Sequence, residues 1–173
     1  MLKPKPSLRH YQWLSNIRRK GMSIERVQRF LAEHAPETTV TVLAKNTATV
    51  ALAAEAFGVE SGQIAKTLSF RVNDGVVLLV MAGTARIDNK KYKQFFGVKA
   101  RMLPAEEVEA LTGYPPGGVC PFAAPETVRI YCDRSLCSYG EVLPAGGSDN
   151  SGVRIAPQRL ASITGAEWID VTG

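Results

Sequence analysis

No stretch of this chain constrains the fold as much as residues 64–82, IAKTLSFRVNDGVVLLVMA. IAKTLSFRV (64–72) is a strand candidate. Asn73, Asp74 and Gly75 form a hairpin turn signal. VVLLVMA (76–82) is apolar throughout, as a buried strand would be. Strand, tight turn and strand require an antiparallel pair, and the other elements must pack around it.

Those other elements are short and well punctuated. Ser23 can cap a helix with Ile24, Val27, Phe30 and Leu31 on one face, and Pro36 stops it. TTVTVL (38–43) alternates as a strand. A helix begins near Thr47 or Thr49 and closes at Gly58. Asp88 can cap a basic helix, NKKYKQFF, ended by Gly97. VKARML (98–103) reads as a strand, and Pro104 opens a helix with Glu106 and Glu107 near its positive end. TVRIYC (127–132) is a strand, and EVLPAGGSDNSGVRIA (141–156) is strand, glycine-polar loop, strand. Pro157 starts a last helix, and EWIDV (167–171) is a final strand.

Strands and helices mix without a regular βαβ repeat, which predicts a single α+β domain over 22–173, mostly antiparallel. A length of 173 residues suits one core. The net charge of +5 is misleading, because residues 1–21 carry six basic side chains and no acid. Without them 15 basic residues face 16 acidic ones, a net of −1. We read 1–21 as a flexible basic extension, with a nucleic-acid or membrane arm as the alternative. Bulk attraction to nucleic acid is excluded, so any RNA contact must come from a local patch. No apolar run is long enough to span a membrane. Three cysteines without secretory context imply reduced thiols in a cytoplasm. Cys132 and Cys137 are far in sequence from His10 and His34, which argues against a metal site.

The glycine- and proline-rich TGYPPGGVCPF (112–122) can be neither helix nor strand, and it holds Cys120. A thiol nucleophile needs a lowered pKa, and nothing in the sequence brings a histidine to Cys120. An inert buried cysteine is the better reading. Serine chemistry lacks its G-x-S-x-G, and no P-loop occurs. Lys66 lies between apolar Ile64 and Leu68 on one strand face. Either its stem covers a sheet edge while the ammonium reaches water, or it lines a pocket and binds a polar or anionic group. ARIDNKKYKQFFGVKAR (85–101) holds Arg86, Lys90, Lys91 and Lys93, with Tyr92, Phe95 and Phe96 interleaved. Basic charge with aromatics suits RNA, but the same pattern fits core aromatics beneath a solvated basic face.

Four segments occur in an order that identifies a family: GVESGQIAKTLSF (58–70), ARIDNKKYKQFFG (85–97), TGYPPGGVCPF (112–122) and YCDRSLCSYGEVLPAGGSDNSGVRI (131–155). The chain resembles the YbaK and prolyl-tRNA-synthetase-associated domain family of aminoacyl-tRNA deacylases, over about residues 22–171. The resemblance implies a mixed, partly barrel-like sheet wrapped by helices, and hydrolysis of the ester joining a wrong amino acid to tRNA. It places the family's lysine on Lys66 and its G-x-x-x-P loop on Gly117, Gly118, Val119, Cys120 and Pro121. Lys66, Gly117, Gly118 and Val119 become catalytic candidates, the last three through backbone N–H groups. Thr47, Thr49, Cys120, Pro121, Asp133, Gly146, Gly147, Ser148 and Asn150 become substrate-binding candidates, and Arg86, Lys90, Lys91 and Lys93 tRNA-binding ones.

The resemblance also implies no cofactor and no metal, because the tRNA's own terminal hydroxyl assists and no protein base is required. Relatives remove alanine, cysteine, serine or threonine. The branch acting on cysteine carries serine where this chain has Cys120, which argues against cysteinyl specificity. At this length there is no room for a synthetase catalytic domain, so the expected protein is freestanding and acts in trans, as a monomer or dimer. Its expected partners are a mischarged tRNA and a synthetase. Two other readings remain: a non-catalytic tRNA- or synthetase-binding module with the same fold, and a thiol hydrolase using Cys120.

Overall fold

The computed structural model describes residues 22–173. The expectation for 1–21 lies outside the described residues. Helix α1 runs over 22–34, so Ser23 is inside it and does not precede it as a cap. There follow β1 (Val40–Val42), α2 (Val50–Phe57), β2 (Ile64–Val72), β3 (Gly75–Ala82) and α3 (Asn89–Phe96). The chain continues through α4 (Ala105–Thr112), β4 (Val128–Asp133), β5 (Leu143–Pro144), β6 (Ser151–Val153), α5 (Pro157–Thr164) and β7 (Glu167–Ile169).

The β2–β3 hairpin forms as the sequence requires, antiparallel from Val72↔Gly75 to Ala65↔Ala82. Asn73 takes the positive φ of 52° that its turn demands. Around this hairpin the sheet has the order β5-β2-β3-β4-β7. The β5–β2, β3–β4 and β4–β7 pairings are parallel. The sheet is therefore mixed. Its antiparallel share comes from the long hairpin, the separate β1–β6 pair and isolated bridges. Bridges Val142↔Ile155 and Ala145↔Gly152 connect the β5 region to the β6 region. They continue the sheet's curl into a half-barrel.

Capping follows the sequence signals. The Thr49 side chain accepts from Leu52 N and starts α2, and Gly58 closes it in the left-handed conformation. Asp88 accepts from Lys90 N and Lys91 N to start α3. The core is continuous on both faces of β3. On one face Ala65 and Val80 pack with Val27 and Leu31 of α1 and Leu160 of α5. On the other, Leu79 and Met81 pack with Phe70, Tyr92 and Tyr131.

The predicted strand over 98–103 is not a strand. It makes a single bridge, Phe70↔Met102. Arg71 N donates to Arg101 O at 2.9 Å, and Leu103 N donates to Ser69 O at 3.0 Å. Gly97, in the left-handed conformation, turns the chain just before this segment, and Pro104 takes it into α4 just after. The segment covers β2 only near residues 69–71. At the other end β5 pairs only with Ile64 and Ala65. Ser69 and Arg71 direct their backbone groups to this edge, so by alternation Thr67 does too. The edge around Thr67 is left open.

Asp133 closes the far end of β4. It is fully buried. Oδ1 accepts from Ser135 N at 2.9 Å and from Thr172 Oγ1 at 2.7 Å, and Oδ2 accepts from Val171 N at 2.9 Å. Ser135 Oγ in turn accepts from Ala82 N at 3.1 Å. One carboxylate thus ties together β4, the 3₁₀ turn after it and the segment after β7. Replacing Asp133 by Ala leaves three donors unsatisfied, and should lower the unfolding free energy by about 2–4 kcal/mol in urea titrations.

Candidate active site

The open edge of β2 is the floor of a cavity of about 400 Å³. Lys66 and Thr67 line it from β2, and Thr47 and Thr49 from the approach to α2. Gly117 and Val119 line it from the loop after α4, with Phe57, Leu68, Val108 and Leu143 adding apolar walls. Among the described residues that line it, Lys66 is the only ionisable one.

Lys66 is half-buried, and its ammonium donates to Gly83 O at 3.1 Å and to Ala85 O at 2.6 Å. An ammonium has three donors, so one remains for a ligand. Burial lowers the Lys66 pKa below its ordinary value of 10.5, and the nearby Arg86 charge lowers it further. The lysine is therefore a pocket residue and does not simply extend into water. Its neighbour Thr67 carried no sequence signal, because threonine is ordinary in a strand. Its Oγ1 is buried and has no hydrogen-bond partner among the described residues. The oxygen has essentially no accessible surface, so a ligand in the cavity reaches it only after neighbouring groups shift.

The G-x-x-x-P loop meets the cavity with its backbone. Gly117 has a φ of 83°, and a Cβ there would lie 3.0 Å from Ala48 Cβ. Gly118 N donates to Pro115 O at 3.0 Å, so this expected oxyanion donor is already engaged within the loop. A Cβ on Gly118 would lie 2.9 Å from Ser148 Cα, so its lack of a side chain serves packing. Among the described residues the amides of Gly117 and Val119 have no acceptor. Cys120 is fully buried, away from the cavity lining, and burial pushes its thiol up to about 12. At neutral pH it is a protonated core residue and neither nucleophile nor pocket wall. Pro121 is also buried and does not line the cavity.

The glycine-polar loop is one layer behind. Gly146, Gly147, Ser148 and Asn150 do not line the cavity. Ser148 Oγ bonds Asn150 Oδ1 at 2.7 Å and Ser151 Oγ at 2.8 Å. Asn150 Nδ2 donates to Leu43 O at 2.8 Å, and the Thr47 amide and hydroxyl both donate to Asp149 O. These residues brace the segments that form the walls. Asp133 also lies outside the lining.

Of the basic stretch, Lys91 is committed, donating to Asp170 Oδ1 at 2.9 Å and to Thr172 O at 2.8 Å. Arg86, Lys90 and Lys93 are exposed. Tyr92 is buried and Phe96 stacks between Tyr92 and Tyr131, at 4.5 and 5.2 Å. Tyr92 and Phe96 therefore belong to the packing beneath a basic face, whereas Phe95 is exposed on it.

A curled half-barrel with a lysine on its open edge and a glycine-proline loop opposite defines a class of domain, and known proteins share it. The chain belongs to the aminoacyl-tRNA editing domain family, whose model matches residues 44–163. It is 45% identical over 152 residues to YwhH of Bacillus subtilis (strain 168), a protein without an assigned function, covering 87% of this chain and 97% of that one. EbsC of Enterococcus faecalis, named as a candidate Cys-tRNA(Pro)/Cys-tRNA(Cys) deacylase, is 31% identical, covering 69% of this chain and 74% of its own. The proline–tRNA ligase of Shouchella clausii is 32% identical over 120 residues, which is 67% of this chain but 21% of the ligase. A solved structure described as a candidate trans-editing enzyme for prolyl-tRNA synthetase superposes with a TM-score of 0.80 at 36% identity, covering 87% of this chain and 97% of the other. Among the described residues no helix is long and apolar enough to cross a membrane.

The Lys66 environment has a measurable consequence. Its folded pKa is depressed, so the unfolded chain holds the proton to higher pH. The desolvation penalty is fully present below the folded value and is relieved as pH rises towards 10.5. The ¹³Cε signal of Lys66 should titrate with a midpoint below 10.5, and Arg86→Gln should raise that midpoint. Unfolding free energy should rise with pH across the same window, relative to Lys66→Met.

Proposed function

We propose that the protein is a freestanding cytoplasmic hydrolase that removes a small amino acid from mischarged tRNA, with tRNA-Pro as its first candidate. One observation carries the reading: a single cavity joins a cationic lysine to Gly117 and Val119, whose amides have no acceptor among the described residues. The named relatives support the substrate class.

An aminoacyl ester is already activated, so positioning and charge stabilisation are enough. Water attacks the ester carbonyl, and the Gly117 and Val119 amides receive the developing oxyanion. The C–O bond to the terminal ribose breaks, and the water's proton passes to the ribose oxygen. Free amino acid and uncharged tRNA result. No lining side chain can act as a base at neutral pH, so the vicinal ribose hydroxyl relays the proton. Lys66 uses its remaining donor to hold the ester or the terminal phosphate. Selection works by size. A synthetase rejects a slightly smaller analogue by only about 1–3 kcal/mol, and a second pocket hydrolyses what fits it.

A panel of tRNA-Pro charged with alanine, cysteine, serine, threonine or proline tests this. At least one noncognate ester should turn over, proline should survive, and Lys66→Ala should lower kcat/KM by about 100-fold or more. Binding without turnover on every member would replace the enzyme with a tRNA- or synthetase-binding module. Affinity for tRNA should also fall with salt. Neutralising Lys90 and Lys93 together should flatten the logarithmic slope by about 0.7–0.9 for each phosphate no longer neutralised. Lys91→Ala should act mainly on stability, because its ammonium holds Asp170 and the chain end.

A further inference from the structure

The loop that carries the two amides contains three prolines and three glycines between Thr112 and Phe122. Proline fixes φ, but glycine does not, so such a loop has one shape only if its ends are held. One side chain holds both ends. Tyr114 is fully buried at the loop's start, and its hydroxyl donates to Phe122 O at the loop's exit. Burial pushes the Tyr114 pKa far up, so the phenol remains a donor at every working pH. Arg26 of α1 holds the tyrosine in turn. Its guanidinium lies 4.3 Å from the Tyr114 ring centroid, and Nη2 donates to Gly113 O at 2.8 Å. A Cβ at Gly113 would lie 2.8 Å from that nitrogen, so only glycine admits the contact. The same helix backs the second loop, where a Cβ on Gly147 would lie 2.8 Å from Ser23 O.

We propose that Tyr114, held by Arg26, is a positioning residue for hydrolysis: it sets the span of the 115–121 loop and so aims the Gly117 and Val119 amides. The kinetic part rests on the deacylase reading above. The structural part does not. Oxyanion donors must sit about 2.7–3.1 Å from the developing charge, and a displacement near 1 Å costs on the order of 10²-fold in rate. A purely structural tyrosine would matter only through stability. A positioning one must alter the loop and kcat in a protein that is still folded.

Tyr114→Phe separates these cases, because it keeps the ring, the volume and the stack on Arg26. Two readouts are needed on the full chain: ¹⁵N order parameters of Gly117 and Val119 without substrate, and kcat and KM on the esters that the wild type hydrolyses. We expect the order parameters to fall from about 0.85 to below about 0.6, with those of β3 unchanged. We expect kcat to fall about tenfold or more with KM within about threefold, since ground-state binding rests on Lys66 and the apolar walls. Arg26→Met should behave likewise, and Arg26→Lys should recover part of kcat. Unchanged order parameters would overturn the proposal, as would a loosened loop with wild-type kcat. Should Tyr114→Phe fail to fold, the two Arg26 variants decide between the same outcomes. A wild type inactive on every ester would remove the proposed function, and the order parameters would still decide whether Tyr114 sets the loop.

Discussion

The site depends on an interruption in the hydrogen bonding of one strand. An uncovered strand edge is a hazard that proteins normally close. Here β2 is closed at both ends and open in the middle. Pro144 pairs with Ala65 and ends β5, because proline has no N–H to extend a ladder. The 101–103 segment covers Ser69 and Arg71 and goes no further. Between them Thr67 presents its backbone edge to the cavity, and Lys66 sits beside it. The gap in the ladder thus lies where a ligand can fill it.

Behind that gap the two glycine-rich loops act as a pair. Gly118 lies so close to the Ser148 backbone that a side chain there would not fit. Asn150 and Asp149 then tie the second loop to Leu43 and Thr47, which leads into the cavity wall. Gly118 and Gly147 thus permit close approach to neighbouring backbone, whereas of the glycines in these two loops Gly117 lines the cavity. This second layer supports the wall from behind, and the Tyr114 hydrogen bond to Phe122 O ties its ends.

The sequence made some of this legible and hid the rest for identifiable reasons. The hairpin, the Thr49 and Asp88 caps and the ends of α3 were readable, because each is set by residues within a few positions. The 98–103 segment has strand composition but meets a partner edge for a single bridge, which no local pattern reveals. Lys66 was visible because a charge among apolar residues is anomalous, whereas Thr67 is an ordinary strand residue. Order along the chain brought Cys120, Pro121, Asp133, Gly146, Gly147, Ser148 and Asn150 near the site but could not give their depth. Each lies outside the cavity lining. Lys91 looked like its neighbours, and only the fold brings Asp170 to it.

The electrostatics of the cavity narrow its chemistry further. A lysine whose charged form is penalised by burial and by Arg86 is a poor choice for stability. Its two carbonyl partners relieve that penalty only in part, so it retains a strong preference for an anionic or electron-rich ligand. No carboxylate lines the cavity to neutralise it. A substrate bringing negative charge, or developing it during reaction, would be stabilised there more than a neutral one. An ester carbonyl passing to a tetrahedral oxyanion beside a terminal phosphate meets both conditions. If the proposed hydrolysis takes place here, such a pocket would favour the transition state over the ground state without a side chain serving as base or nucleophile.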